Sequence, residues 1–350
     1  MSDHPISTAD PITDDFQLSR REFIRRLLLA GCLVPFGLPK LTAQTQNRRI
    51  NHITGEINYQ FKVVSVDRLA ELQQDINRLK QKKLLSTNKV FQSYIEKREF
   101  TIPDDLPEAR SLIVVAVYTP MMRVRFHTRG KAHDVIIPSQ YYDDGLQPDD
   151  MLNIIKQEVV RNPDARTIPG RGLYLKLLAV RAGLGRYGRN NICYVDGMGT
   201  FHTLMAFFSD HSFKTYDWSE IQVCDACEHC TLCYRQCPTK AIRKDHFVID
   251  AGRCITLYNE IEGEFPDWIP KNAHNALMGC MRCQERCPLN RRVMQKTGRF
   301  ADITEAETEA IISGQIDEQM LAAVRTKLHG FACATPEYLP MFTRNLSVLL

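Results

Sequence analysis

The 350-residue chain predicts an α+β fold in three parts: an α/β part, a cysteine-dense part and a short helical tail. Three observations carry this. Leu112 to Tyr118 is an unbroken apolar run rich in β-branched side chains, which suits a central buried strand. Segments with apolar residues at three- and four-residue steps lie on both sides of it, as in Val66, Leu69, Leu72, Ile76 and Leu79. Nine of the 12 cysteines fall between Cys224 and Cys287. With 44% hydrophobic residues the chain can bury a substantial core. Its net charge of +4 neither requires nor forbids a polyanionic partner, so a phosphate-binding surface would have to be local.

Residues 1–43 read as a leader. Ser19, Arg20, Arg21, Glu22 and Phe23 form a twin-arginine export pattern, followed by a short apolar stretch from Leu27 to Leu38. Leu41, Thr42 and Ala43 offer a small-residue cleavage point; Leu29, Ala30, Gly31 and Cys32 offer a lipoprotein-type end instead. A basic amphipathic helix that happens to contain two arginines is the plain alternative. No run of about 18 apolar residues occurs, so no permanent membrane span is expected, and peripheral association with a membrane remains compatible.

Residues 44–220 form the α/β part. After the strand at 112–118, Arg123, Arg125, His127, Arg129 and Lys131 alternate; if extended, they place five basic groups on one strand face. Such a face suits a phosphate or carboxylate, and equally an ordinary solvated edge strand. A helix is expected from Asp149 to Val160 and another from Gly172 to Ala182. Gly183, Gly185, Gly188 and Asn190 belong to a glycine-rich segment that lets backbone approach something bulky, and they are the candidate cofactor-binding residues. Ile192–Val195 and Thr200–Phe208 suggest two strands of a hairpin about Asp196 and Gly197.

Residues 221–293 carry the chemistry. Cys227, Cys230, Cys233 and Cys237-Pro238 have the C-x2-C-x2-C-x3-C-P spacing of a bacterial ferredoxin-like 4Fe–4S site. In that arrangement three thiolates curl around one cube and the fourth serves a second one. A second half-motif exists: Cys280, Cys283 and Cys287-Pro288, with Cys254 available from a preceding loop. The crossover rule then assigns Cys227, Cys230, Cys233 and Cys287 to one cluster, and Cys237, Cys254, Cys280 and Cys283 to the other. Zinc favours paired C-x2-C elements, and disulfides rarely bridge cysteines three apart in a helical turn, so both fit less well. Cys224 stands in the same register and could replace Cys227, while Cys193 and Cys333 read as buried small hydrophobes. Phe247–Ile249 suggests a short strand. Residues 294–350 form the tail, with a capping box at Thr304 and Glu307 and a further helix from Asp317 to Leu328.

Over roughly residues 60–293 the chain resembles the epoxyqueuosine reductases. The resemblance is carried by Pro107–Ala116, Arg181–Asn190, Cys237–Ile242, Arg253–Ile255 and Gly279–Gln284. That family is related to the reductive dehalogenases, and both pass electrons from two 4Fe–4S clusters to cobalamin held in a nitroreductase-like α/β domain. The resemblance therefore implies cobalamin beside the two clusters. Two features depart from the family's pattern. The family's proposed proton donor is an Asp that falls on Pro169 here, and an exported protein never meets tRNA.

The expectation is an exported iron–sulfur reductase, fed by an electron-donor protein or a quinol system and acting on a small molecule. Tyr142, Arg171, Tyr187 and Arg189 are the candidate proton donors or catalytic groups. Two alternatives stand beside it: a non-catalytic electron-transfer subunit, and a cytoplasmic epoxyqueuosine reductase acting on tRNA.

Overall fold

The computed structural model describes residues 58–350, apart from 99, 143–145, 147 and 332. The expected leader, its cleavage points and Cys32 lie outside the described residues. Strand β1 (Tyr59–Ser65) pairs antiparallel with β2 (Ser111–Tyr118), which also pairs antiparallel with β8 (His202–Ser209); β5 (Thr167–Pro169) closes the far edge. Both faces of β2 are covered, which is why its sequence is continuously apolar. Leu112, Val114 and Ala116 face one cluster with Leu69, Leu72 and Ile76 of α1 (Leu69–Gln81) and Leu177 and Val180 of α4 (Leu175–Arg181). Ile113, Val115 and Val117 face another with Met151 of α3 (Pro148–Ile154), and with Ile155 and Val160 in the wider helical turn that continues it. The alternation of side chains along a strand thus serves two cores at once.

Pro169 sits on the edge strand, opposite Phe207, where its missing N–H costs no ladder bond. The next residue returns to the ladder: Gly170 N–H donates to the Ala206 carbonyl at 2.7 Å.

Two sequence readings of the α/β part are corrected. The basic stripe is broken by a turn: β3 (Met122–Thr128) and β4 (Lys131–Ile137) form a hairpin about Arg129 and Gly130, both with positive φ. Only Arg123, Arg125 and His127 share a face, and acids meet two of them. Arg125 donates to Asp134 at 2.8 Å, and His127 lies 3.0 Å from Asp302. The chain does turn back at Asp196 and Gly197, Val195 and Gly199 exchanging backbone hydrogen bonds at 2.9 and 2.8 Å, but this bridge is one residue pair long and no two-stranded hairpin extends from it. β7 (Cys193–Tyr194) pairs instead with β6 (Arg186–Tyr187), and β8 leaves for the large sheet.

The cysteine-dense part is mostly loop, with short helices α5 (Leu232–Gln236) and α6 (Ile255–Asn259). Phe247–Ile249 is not a strand; Phe247 instead stacks on Tyr187, ring centroids 4.5 Å apart. The tail forms α7 (Glu305–Ser313), with the expected capping box at Thr304 and Glu307, and α8 (Glu318–Lys327), capped by Asp317. It ends in α9 (Leu339–Leu349), while β9 (Gly298–Arg299) joins β3 in parallel. α9 buttresses the cysteine-dense loops: Arg344 donates to the Tyr258 and Ile261 carbonyls, and buried Asn345 donates to those of Asn259 and Leu277 at 2.9 Å each. Among the described residues no helix is long and apolar enough to cross a membrane.

One buried charge group sets the seat of α1 on α4. Arg181 is 3% exposed, lies 2.9 Å from Glu71 and 3.2 Å from equally buried Asp75, and stacks on Trp218 at 4.4 Å. Removing one partner leaves the other desolvated and uncompensated. Arg181→Met should therefore lose about 3–5 kcal/mol in urea unfolding, and the double variant Arg181→Met/Asp75→Leu should regain part of it.

Candidate iron–sulfur centre

Three separated segments bring eight thiols together, and their mutual electrostatics sort them into two groups. Cys233 feels Cys227, Cys287 and Cys230, and Cys287 feels Cys227. Cys280 feels Cys254 and Cys237; Cys283 feels Cys280 and Cys254, with Cys233 as its weakest neighbour and the only one outside that set. These are the two sets that the crossover rule assigns. Burial pushes the Cys233 thiol up to about 11 and Cys280 up to about 12, and the neighbouring sulfurs add to the shift. Burial also raises Cys254, Cys283 and Cys287. Four desolvated thiolates repel one another, so each group is a site that a cationic iron core would stabilise, with release of protons.

The donors around the sulfurs fit such a core. Backbone N–H groups of Tyr234, Thr256, Arg282 and Leu289 point at Cys233, Cys254, Cys280 and Cys287, and that of Ala241 donates to Cys237 Sγ at 3.3 Å. Among the described residues all cysteines are free, and no three metal-binding side chains are close enough for one ion. Cys224 lies beside the first group: its S–H donates to Cys227, which lowers Cys227 to about 6 and raises Cys224. Cys193 and Cys333 are fully buried, as expected of small hydrophobes, and burial raises both thiols.

The glycine-rich segment does something other than cradle a ligand. A Cβ at Gly185 would strike Cys193 Sγ, and one at Gly188 would strike the Tyr194 ring, so these glycines admit the chain's own β7. Gly183, with φ of 70°, turns the chain after α4 and has Ser219 nearest. Asn190 reaches the sulfur region instead: its Nδ2 donates to Tyr194 Oη at 3.1 Å and lies 3.5 Å from the Cys283 carbonyl.

The four candidate catalytic side chains have other settings. Tyr142 is 2% exposed and packs edge-on against Phe300. Tyr187 is buried under Phe247, and burial raises its hydroxyl far above the ordinary phenol range. Arg171 is exposed. Arg189 is a clamp: its guanidinium donates to the carbonyls of Cys227, Cys230, Glu228 and Lys244, fastening the first cysteine loop to the β6–β7 turn.

Two side chains that sequence patterns did not single out stand near the second group. Lys176 donates to the Asn191 carbonyl and Oδ1, at 3.0 and 3.1 Å. Solvent reaches it, yet protein walls it in; desolvation lowers its pKa, while Cys193, Cys254, Cys283 and Glu260 pull the other way. Glu260 accepts a hydrogen bond from Tyr141. Their only sequence signal is a charge within an apolar helix or loop, which many surface residues share.

The comparisons agree with this chemistry. Residues 226–290 match the 4Fe-4S double cluster binding domain family, a segment that begins after Cys224. Epoxyqueuosine reductase of Staphylococcus aureus is 29% identical over 195 residues, 54% of this chain and 50% of that protein. That of Synechocystis is 31% identical over 198 residues, 55% of this chain and 66% of that protein. The chain thus spans between half and two thirds of the length of these relatives. A structure of epoxyqueuosine reductase with an epoxyqueuosine-modified tRNA-Tyr stem loop superposes with a TM-score of 0.58 at 20% identity, covering 83% of this chain and 76% of that one. The Bacillus subtilis enzyme, with its catalytic loop swung out, gives 0.56 at 19%, covering 83% and 77%.

Arg189 supplies a test. Lysine has one point charge in place of a planar fork and cannot hold four carbonyls. Arg189→Lys should cut iron per chain by about half, through loss of the first cluster, in anaerobic iron and sulfide assays.

In sequence and in fold, the chain is similar to the epoxyqueuosine reductases, with a 4Fe-4S double cluster binding domain at residues 226–290.

Proposed function

We propose that this chain is a reductase that draws electrons through two 4Fe–4S clusters, one held by Cys227, Cys230, Cys233 and Cys287, the other by Cys237, Cys254, Cys280 and Cys283. The observation that carries this reading is the match of residues 226–290 to a 4Fe-4S double cluster binding domain, and the electrostatic neighbours of Cys233, Cys280, Cys283 and Cys287 fall mainly within those same two sets. The clusters supply one-electron steps at low potential. The chain's own residues keep water from the sulfurs, fix their spacing and aim backbone N–H groups at them. Cobalamin remains implied by the resemblance alone, and no step here depends on it. Purified without oxygen, the protein should hold about eight irons and eight sulfides per chain. A colourless or zinc-only protein removes the reading. Cobalt in the same analysis would support a bound corrinoid. Iron with no corrinoid affinity and no turnover would favour an electron-transfer subunit.

Reduction of an organic acceptor also consumes a proton. Lys176, exposed and held by Asn191 between β6 and β7, is the residue we assign to supply it. Desolvation depresses its pKa, so the ammonium loses its proton at a lower pH than an ordinary lysine. The rate should therefore be full at lower pH and fall as pH rises through that depressed value. Lys176→Met should slow turnover about 100-fold or more with iron unchanged. An undiminished rate, or an unchanged alkaline limb, removes the role. The assay pairs reduced methyl viologen with two acceptors, an epoxyqueuosine-modified stem loop and a small organohalide.

Those acceptors also separate two locations. Export through the twin-arginine signal in residues 1–43 would give a small-molecule substrate outside the cytoplasm. The likeness to a structure holding a modified tRNA stem loop favours a cytoplasmic tRNA reductase instead. Pro169 and the acid-paired face of β3 count against that second reading. A folded-export reporter fused to residues 1–45 that stays in the cytoplasm would overturn the export reading.

A further inference from the structure

One buried side-chain relay joins the α/β part to the Cys287 sulfur and the Cys283 carbonyl. Tyr194 is 7% exposed and Asn190 4%. The Asn190 amide donates to Tyr194 Oη at 3.1 Å, and Tyr194 donates its own proton to Cys287 Sγ at 3.2 Å. The amide also lies 3.5 Å from the Cys283 carbonyl, so its two hydrogens are divided between the phenol and the backbone of a cysteine in the second set. The ring cannot drift, because Gly188 is pressed against its edge and β7 pairs with β6 behind it. A phenol holds its proton below about pH 10, so it is a donor here. The sequence marked Asn190 within the glycine-rich segment but gave Tyr194 no role.

We propose that Tyr194 is a positioning residue whose hydroxyl, oriented by Asn190, hydrogen-bonds the Cys287 sulfur and raises the reduction potential of that cluster relative to its partner. A hydrogen bond to a ligating sulfur withdraws electron density and stabilises the reduced, more negative cluster. The two cubes share one motif, and this bond makes them unequal. Electrons then settle preferentially on the Cys227, Cys230, Cys233, Cys287 side. The inference rests on the ligand sets proposed above.

The test is an anaerobic redox titration of the full, iron-loaded chain followed by electron paramagnetic resonance. Tyr194→Phe keeps the ring and deletes only the donor. It should retain the full iron complement, move one of the two midpoints to more negative potential, and erase the coupling of that cluster to an exchangeable proton. Asn190→Ala leaves the hydroxyl but removes its orienting donor. It should move the same midpoint less in the same direction. Full iron with both midpoints unchanged in Tyr194→Phe overturns the inference. A Tyr194→Phe protein that fails to keep its iron overturns it too, in favour of a purely structural role. Wild-type protein without iron would instead overturn the ligand sets, and that outcome is visible before any variant is made.

Discussion

Desolvated sulfur is the constraint on which this structure depends. Eight thiols are drawn from three separated stretches, and for Cys233, Cys254, Cys280, Cys283 and Cys287 ionising in the protein interior is unfavourable, by burial first and by mutual repulsion second. An arrangement of this kind gains its stability from a cationic core that takes up the charge, which couples folding to metal uptake. Nearly everything around it serves to hold short, irregular loops in place until that happens.

The holding is done by polar side chains rather than by regular structure, because a segment this rich in loops has few ladder bonds. Arg189 fastens the first loop through four carbonyls, and Asn345 and Arg344 from α9 fasten the middle. Buried Asn290 fastens the end, accepting from Thr200 N–H at 3.0 Å and donating to the Gln284 carbonyl at 3.1 Å. Each of these groups satisfies carbonyls or N–H groups that would otherwise be buried unpaired. The helical tail, which carries no chemical motif, acquires a purpose in this way: it is the wall against which the cluster loops are set.

The same logic accounts for the sequence features that misled. Glycines at 185 and 188 suggested room for a large ligand, yet the space is taken by Cys193 and Tyr194. A glycine reports that something approaches the backbone and is silent on whether that something belongs to the chain. The basic alternation at 123–131 looked like one face, but a two-residue turn with positive φ at Arg129 and Gly130 splits it, and acids from β4 and beyond β9 neutralise part of what remains. The acids are distant in sequence or across the hairpin, so no local window contains them. Phe247–Ile249 has strand composition and no strand partner.

What the amino-acid sequence determined by itself was whatever is written in spacing. The C-x2-C-x2-C-x3-C-P run and its echo define two sulfur sets; continuous apolarity defines β2; Thr304 and Glu307 define a helix start. These are short-range facts, set by chain geometry over a few residues. Only the tertiary structure decided which side chains face those sulfurs. Tyr194 reaches the Cys287 sulfur, and Arg189 and Asn190 reach cysteine carbonyls, across separations of tens of residues, and hydrogen bonding at such range depends on how the sheets and loops pack, which no periodicity encodes.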